Sequence, residues 1–178
     1  MNTTQTQAAE KTTGSAIETD NRLDQYLTFL LAGEEYGIDI LRVQEIRGWS
    51  GATPIPNMPD FILGVMNLRG TVVPVIDLRK YLKLESIPFG KTTVVIVARI
   101  TDADEQSERT MGIVVDAVSE VHNIASTDMK PAPEFGGALN TDAIKGLATR
   151  DEKMLIILEI DALMNNGVEQ ILNASEQE

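Results

Sequence analysis

The sequence of 178 residues has no cysteine and one histidine, His122. Without cysteine there is no disulfide framework, no thiolate nucleophile and no sulfur-built zinc or iron–sulfur site, and one histidine cannot supply a multi-histidine metal centre. No cofactor and no metal is expected, and a reducing cytoplasm is the natural compartment. Basic residues are also few: 15 Lys plus Arg stand against 27 Asp plus Glu, a formal charge of -12. That charge repels phosphate backbones and anionic lipid, and no basic stripe reverses it, so no nucleic-acid partner is expected. Long apolar runs are missing as well. Residues 94–98 and 155–158 are typical, against the ~18 residues that a membrane span requires, so no direct membrane insertion is expected. Aromatics make up 4% of the chain, which leaves a chiefly aliphatic core. No G-x-S-x-G, H-E-x-x-H, P-loop or G-x-G-x-x-G motif occurs, so hydrolase, zinc-protease and nucleotide-binding chemistry have no local support.

What is present begins near Asp24. Residues 1–22, rich in Thr, Gln, Ala and Glu, read as a solvated, disordered tail; the ordered region is expected over 23–165, followed by a helix end and tail over 166–178. Short Val/Ile/Leu-rich runs punctuated by Gly, Pro, Asn and Asp predict a mainly β protein. Residues 25–32 and 35–39 flank Gly33-Glu34 as a hairpin. Residues 40–47 fit either a helical turn or an irregular strand. Three prolines make 53–59 a loop, and Asp60 is placed to cap a turn through Leu63. A second hairpin bends at Arg69-Gly70, with Pro74 pointing to an edge strand or a bulge. Residues 79–82 form a helical turn. Residues 92–100 and 111–115 pair across the solvated acidic connection 101–109, and strands at 143–149 and 153–160 lead into a helix over 161–172 capped by Asp161.

The chain also echoes itself. Residues 36–46 align with 111–121, residues 62–65 with 144–147, and 76–78 with 160–162. Two halves with the same order of strand pairs follow, each too small for a large core of its own and stabilised by packing on the other. The groove between them is then the place to look for function.

Few residues offer chemistry there. His122 reads as a strand-end histidine rather than a general base. Glu45 and Arg69 are charges set among apolar residues at the ends of β elements. Either an Arg fork on a carboxylate ties two loops together, or both are exposed and contribute little. Arg42, Arg47, Arg79 and Lys80 read as ordinary surface residues. Trp49 and Phe135, aromatics on Gly- or Pro-rich loops, must fold back onto a core or meet a partner. A small acidic hydrolase working through Asp and Glu stays a formal, poorly supported alternative.

Residues 33–47 (GEEYGIDILRVQEIR), 64–70 (GVMNLRG) and 74–79 (PVIDLR), in that order, with 112–118 (GIVVDAV) and 130–135 (KPAPEF), resemble the CheW family of bacterial chemotaxis coupling proteins. The resemblance covers roughly residues 24–163. It implies two intertwined five-stranded SH3-like β-barrel subdomains with short helices, no catalytic activity, and a scaffold role in the cytoplasm at membrane-associated chemoreceptor arrays. The implied partners are the cytoplasmic tip of a chemoreceptor and the regulatory domain of the histidine kinase CheA. By motif, Val43, Glu45, Ile46, Arg69 and Val94 resemble receptor-binding positions. Gly64, Gly70, Val72, Val118 and Leu155 resemble kinase-binding positions, and Phe135 a second kinase contact that closes rings in the array. A coupling protein of a non-flagellar chemosensory pathway would carry the same motifs. The tail before Asp24 and the acidic loop are larger than a minimal member of the family requires.

Overall fold

The computed structural model describes residues 22–133 and 141–175. The expected tail, apart from Arg22, and the loop around Phe135 therefore lie outside the described residues. Strands β1 (Leu23–Leu31) and β2 (Glu34–Asp39) form the first predicted hairpin. Residues 40–47, where the spacing fits two structures, contain both. Asp39 caps a single 3-10 turn over Ile40–Arg42 by accepting the Leu41 N–H at 2.9 Å, and β3 (Val43–Gly48) follows. β4 (Ile62–Leu68) and β5 (Thr71–Asp77) make the second hairpin, with pairing already established at Ile62 rather than beyond a capped turn. The short helix α1 (Leu78–Tyr81), capped by Asp77, leads to β6 (Val94–Thr101) and β7 (Glu108–Val115). β8 (Ala117–Ala125) runs through His122 instead of ending before it, and β9 (Ile144–Arg150), β10 (Lys153–Leu158) and α2 (Ile160–Ser175) complete the order.

One sheet has the order β8-β1-β2-β10-β9 and the other β3-β6-β7-β5-β4. Advancing each strand by five positions around the series of ten converts one order into the other. Each sheet thus draws two strands from one half and three from the other: β3, β4 and β5 join β6 and β7, and β8, β9 and β10 join β1 and β2. Each sheet curls toward closure through one bridge, Thr53 to Val65 in one and Lys130 to Leu147 in the other. The result is the pair of intertwined five-stranded barrels that the resemblance implies.

The internal echo is visible in backbone detail. Gly37 sits opposite Ile157 and Gly112 opposite Val75 in equivalent parallel pairs, and the register skips at Gly64 and at Gly146 in the same way. At Gly64 the reason is steric. A Cβ there would lie 2.0 Å from the Thr53 carbonyl oxygen, and φ is +135°, a conformation that side-chain-bearing residues rarely adopt. The third echo needs a correction of two residues. The N–H groups of Asp77 and Glu159 bond the carbonyls of Phe61 and Ala143, each at 2.8 Å, so Asp77 corresponds to Glu159 and not to Asp161.

Pro74 also differs from expectation, because β5 is internal to its sheet, between β7 and β4. Val65, opposite Pro74, exchanges both of its backbone hydrogen bonds with Thr53, so no N–H is required of Pro74 on that side. The β7 ladder starts one residue later, at Val75. The proline therefore falls where neither neighbour needs a donor.

Three apolar clusters follow from this topology. Leu68, Val73, Val75, Val95, Val97 and Val114 fill one barrel, and Tyr26, Ile124, Ala148, Leu155 and Ile157 fill the other. The third and largest cluster lies between the sheets and joins Leu27, Phe29 and Ile38 to Ile76, Ile96 and Ile113, closed by Leu158, Ile160 and Leu163. Among the described residues the buried aromatics are Tyr26 and Phe29, so the core there is chiefly aliphatic. The deep part of the expected groove is therefore packed core, and only its rim faces outward.

Arg42 and Arg79, which read as ordinary surface in the sequence, form two ion pairs that pin the crossovers between halves. Arg79 is buried; its Nε and Nη2 donate to the two oxygens of Asp116 at 2.7 and 2.6 Å, and its Nη1 donates to the Glu85 carbonyl. Asp116 lies in the β7-to-β8 crossover and also accepts the Ala32 N–H. In the other half Arg42, in the β2-to-β3 crossover, pairs with Asp161 at 2.6 Å. Asp161 is inside the first turn of α2 and accepts the Thr101 N–H, so it ties the helix to β6 rather than capping it. Arg79 and Asp161 occupy equivalent helix starts with opposite charge.

Burial works against the Asp116 charge, but the Arg79 hydrogen bond, the Ala32 N–H and the Arg79 charge outweigh it and hold the carboxyl below its ordinary value. Its contribution is complete above the unfolded-state value and is lost as pH falls through the lower folded one. In urea titrations Asp116→Asn will lose less stability than the parent as pH falls below about 4. Arg79→Ala, which strands a partly buried carboxylate, will cost about 3 kcal/mol at neutral pH. An unchanged midpoint in either variant removes the pin from the account of stability.

Candidate partner-docking surface

β3 is the edge of its sheet, and its side chains divide between two faces. A bulge between Val43 and Glu45 sets Glu45 opposite Val97, Ile46 opposite Ile96 and Arg47 opposite Val95. Val97 and Val95 belong to the barrel interior and Ile96 to the core between the sheets. Directly paired residues share a face. Glu45 and Arg47 therefore lie at the mouth of the barrel, while Val43 and Ile46 lie on the outer face. Val43 and Val94 pack on the inter-sheet core and form part of its rim, and Ile46 is 42% exposed beside them. Three of the five receptor-type positions lie on β3, with Val94 at the start of the adjacent β6 and Arg69 on the β4–β5 turn, and they form two groups: apolar Val43, Ile46 and Val94, and a charged pair.

That pair is formed. Arg69 Nη2 donates to Glu45 Oε2, across from the Arg47 Nε, which is 3.6 Å from Glu45 Oε1. Arg69 reaches Glu45 because the β4–β5 turn places it at φ +50°, with Asn67 Oδ1 accepting the Gly70 N–H at 2.7 Å. Arg69 is 77% exposed and Glu45 22%, so the pair contributes little to stability. Its effect is geometric: it holds the turn against β3 on the open side of the barrel. Glu45 lies between two arginines, which leaves this corner positive in an acidic chain. Arg47 is the residue that sequence reasoning missed here; its spacing of two from Glu45 on a strand was the available signal.

The kinase-type positions scatter more. Gly70 is exposed at the turn tip, and Val72 on β5 is 64% exposed. Val118 packs on the rim of the inter-sheet core, at the position in β8 that corresponds to Val43 in β3. Leu155 is buried in the interior of the first barrel, and Gly64 is covered by Thr53. Neither presents a side chain to a partner, so a direct contact role does not fit them; they shape the strands that carry exposed neighbours. Phe135 lies outside the described residues. Trp49 folds back: it packs against the Val-rich barrel core and meets Phe89 edge-on at 5.0 Å between ring centres.

His122 Nε2 is 3.3 Å from Glu120 and 3.9 Å from Glu35. Ser119 lines the same depression, but the histidine faces carboxylates. This is the duplicate of the Arg47–Glu45 contact, since His122 stands two residues beyond Glu120 as Arg47 stands two beyond Glu45. Among the described residues no group of three or more His, Asp or Glu is arranged to hold a metal, and no helix is long and apolar enough to cross a membrane.

The model of the CheW-like domain matches residues 25–168, nearly the whole of the two barrels and the start of α2. The chain belongs to the CheW-like family. A chemotaxis protein CheW of Klebsiella aerogenes is 46% identical over 142 residues, covering 80% of this chain and 82% of that protein. A chemotaxis protein CheW of Helicobacter pylori is 32% identical over 155 residues, with 87% and 90% covered. Among solved structures, the scaffolding protein TtCheW from Thermoanaerobacter tengcongensis superposes with a TM-score of 0.71 at 35% identity, over 80% of this chain and 92% of that one. The CheW-like fold thus accounts for both sheets and their exchanged strands.

Because Arg69 is largely solvated, Glu45→Gln will lower the unfolding free energy by less than about 1 kcal/mol. Urea denaturation followed by circular dichroism checks this. A collapse of the fold would make the pair a structural necessity rather than a surface feature.

Proposed function

We propose that this chain is a non-catalytic coupling adaptor of a chemotaxis pathway, which joins the cytoplasmic tips of chemoreceptors to the regulatory domain of the histidine kinase CheA. The observation that carries the reading is the 46% identity to a chemotaxis protein CheW across both barrels. The surface supports it. An apolar rim at Val43, Ile46 and Val94, bordered by a fixed Glu45–Arg69 pair, suits a partner segment that inserts a few apolar anchors and is oriented by charge. Gly70 and Val72, on the β4–β5 hairpin that also carries Arg69, form an exposed patch for the kinase domain. Phe135 belongs to a further kinase contact that extends the array.

Coupling in this reading is mechanical. The two barrels share one apolar core and exchange strands, so a partner held on one barrel has a fixed relation to a partner held on the other. A receptor movement is passed on as a change in the kinase's position, and the adaptor need only keep its shape. The protein works in the cytoplasm and reaches membrane-associated arrays through its partners.

Pull-down with a receptor tip fragment and the CheA regulatory domain will recover both at once. Ile46→Asp will weaken the receptor fragment at least about tenfold and spare the kinase domain; Val72→Asp will do the reverse. Phe135→Ala will spare both binary contacts and impair higher-order arrays. Failure of the folded wild-type chain to bind either partner would sink the reading.

A further inference from the structure

Next to the Glu45–Arg69 pair, the end of β3, residues 50–53 and β4 enclose an open depression of about 370 Å³. Arg47, Ser50, Thr53, Met66 and Asn67 are among the residues that line it. The lining has one cation and no acid, in a chain of formal charge -12. Arg47 is 45% exposed and held only loosely, its Nε 3.6 Å from a Glu45 carboxylate that Arg69 approaches more closely. Asn67 is fixed by accepting the Gly70 N–H through Oδ1, which leaves its amide NH2 as the donor end. A guanidinium, a serine hydroxyl and an amide around one mainly polar depression make a receptacle for a carboxylate.

We infer that this depression seats an acidic side chain of the receptor tip, with Arg47 as its cation, while the rim at Ile46 takes that residue's apolar neighbour. The inference rests on the adaptor reading above and names a contact within it. Charge complementarity selects the occupant: a basic partner residue meets two arginines here, and an acidic one meets a guanidinium only loosely held by Glu45. The duplicated half supplies a contrast. There His122 stands in place of Arg47, and its depression mixes Glu35, Glu120 and Asp151 with Arg150 and Lys153. The same strand geometry thus carries an unmixed positive seat in one half and a self-neutralised one in its duplicate, so of these two the first suits an acidic partner.

The test is binding of the full chain to the cognate receptor tip fragment, by calorimetry at two salt concentrations, with circular dichroism to verify each fold. Arg47→Glu will weaken the tip about tenfold or more and Arg47→Gln about fivefold, whereas Arg47→Lys will stay within about threefold. Added salt will weaken the wild type more than the Gln variant. The kinase regulatory domain will bind all of them equally. Replacing the acidic residues of the tip one at a time by lysine will yield one variant that restores binding to Arg47→Glu. If the tip binds wild type and Arg47→Glu alike, or no lysine substitution restores binding, the seat is overturned while the adaptor reading stands. A tip that does not bind the wild type overturns both.

Discussion

The division of each half between the two sheets is the constraint on which everything else in this molecule depends. Neither half closes a barrel from its own five strands, because its first two strands lie in one sheet and its last three in the other. The apolar surface so created is shared: Ile76, Ile96 and Ile113 from one sheet pack with Leu27, Phe29 and Ile38 from the other. Burying one continuous core stabilises a pair of units that would each be marginal at half this size. The rims of that core, at Val43, Val94 and Val118, lie where β3, β6 and β8 enter the sheets.

The duplicated layout explains why shape and charge can be set independently. Backbone features repeat faithfully: the bulges in β3 and β8, the register skip at Gly64 and Gly146, and the paired bridges that close the sheets. Side chains at matching positions diverge. Arg47 answers to His122, and Arg79 to Asp161. A scaffold that must hold unlike partners needs two similar surfaces with different chemistry, and a repeated fold with altered side chains is a direct way to obtain them.

Much of this was legible in the sequence because its signals are local. Hairpins at Gly33 and Arg69, the aliphatic core and the two-half organisation follow from turn residues, alternation and the echo of residues 36–46 in 111–121. What stayed hidden depends on which strand pairs with which. The strand exchange, the internal place of Pro74 and the two-residue shift of the third echo are tertiary facts. The roles of Arg42, Arg47 and Arg79 were missed for the same reason. An arginine reads as surface until its carboxylate, 37 positions away for Arg79, is brought beside it. The Glu45–Arg69 pair was visible as one of two options, but which option holds is decided by the left-handed turn that aims Arg69 at β3. The split of the receptor-type residues between two faces comes from a single bulge, which periodicity does not announce.

The opposite polarity of the two crossover pins has a further consequence for assembly. Arg42 meets Asp161, and Asp116 meets Arg79, so each first-half charge finds its counterion only in a second half. Two first halves brought together would set Arg42 against Arg79, and two second halves would set Asp116 against Asp161, with like charges at partly buried sites. Homotypic pairing is thereby penalised at the same junctions that reward the native one. For a protein built from near-duplicate units and made many copies at a time, the reversed pins work as a pairing code that keeps each amino-terminal half with a carboxy-terminal one.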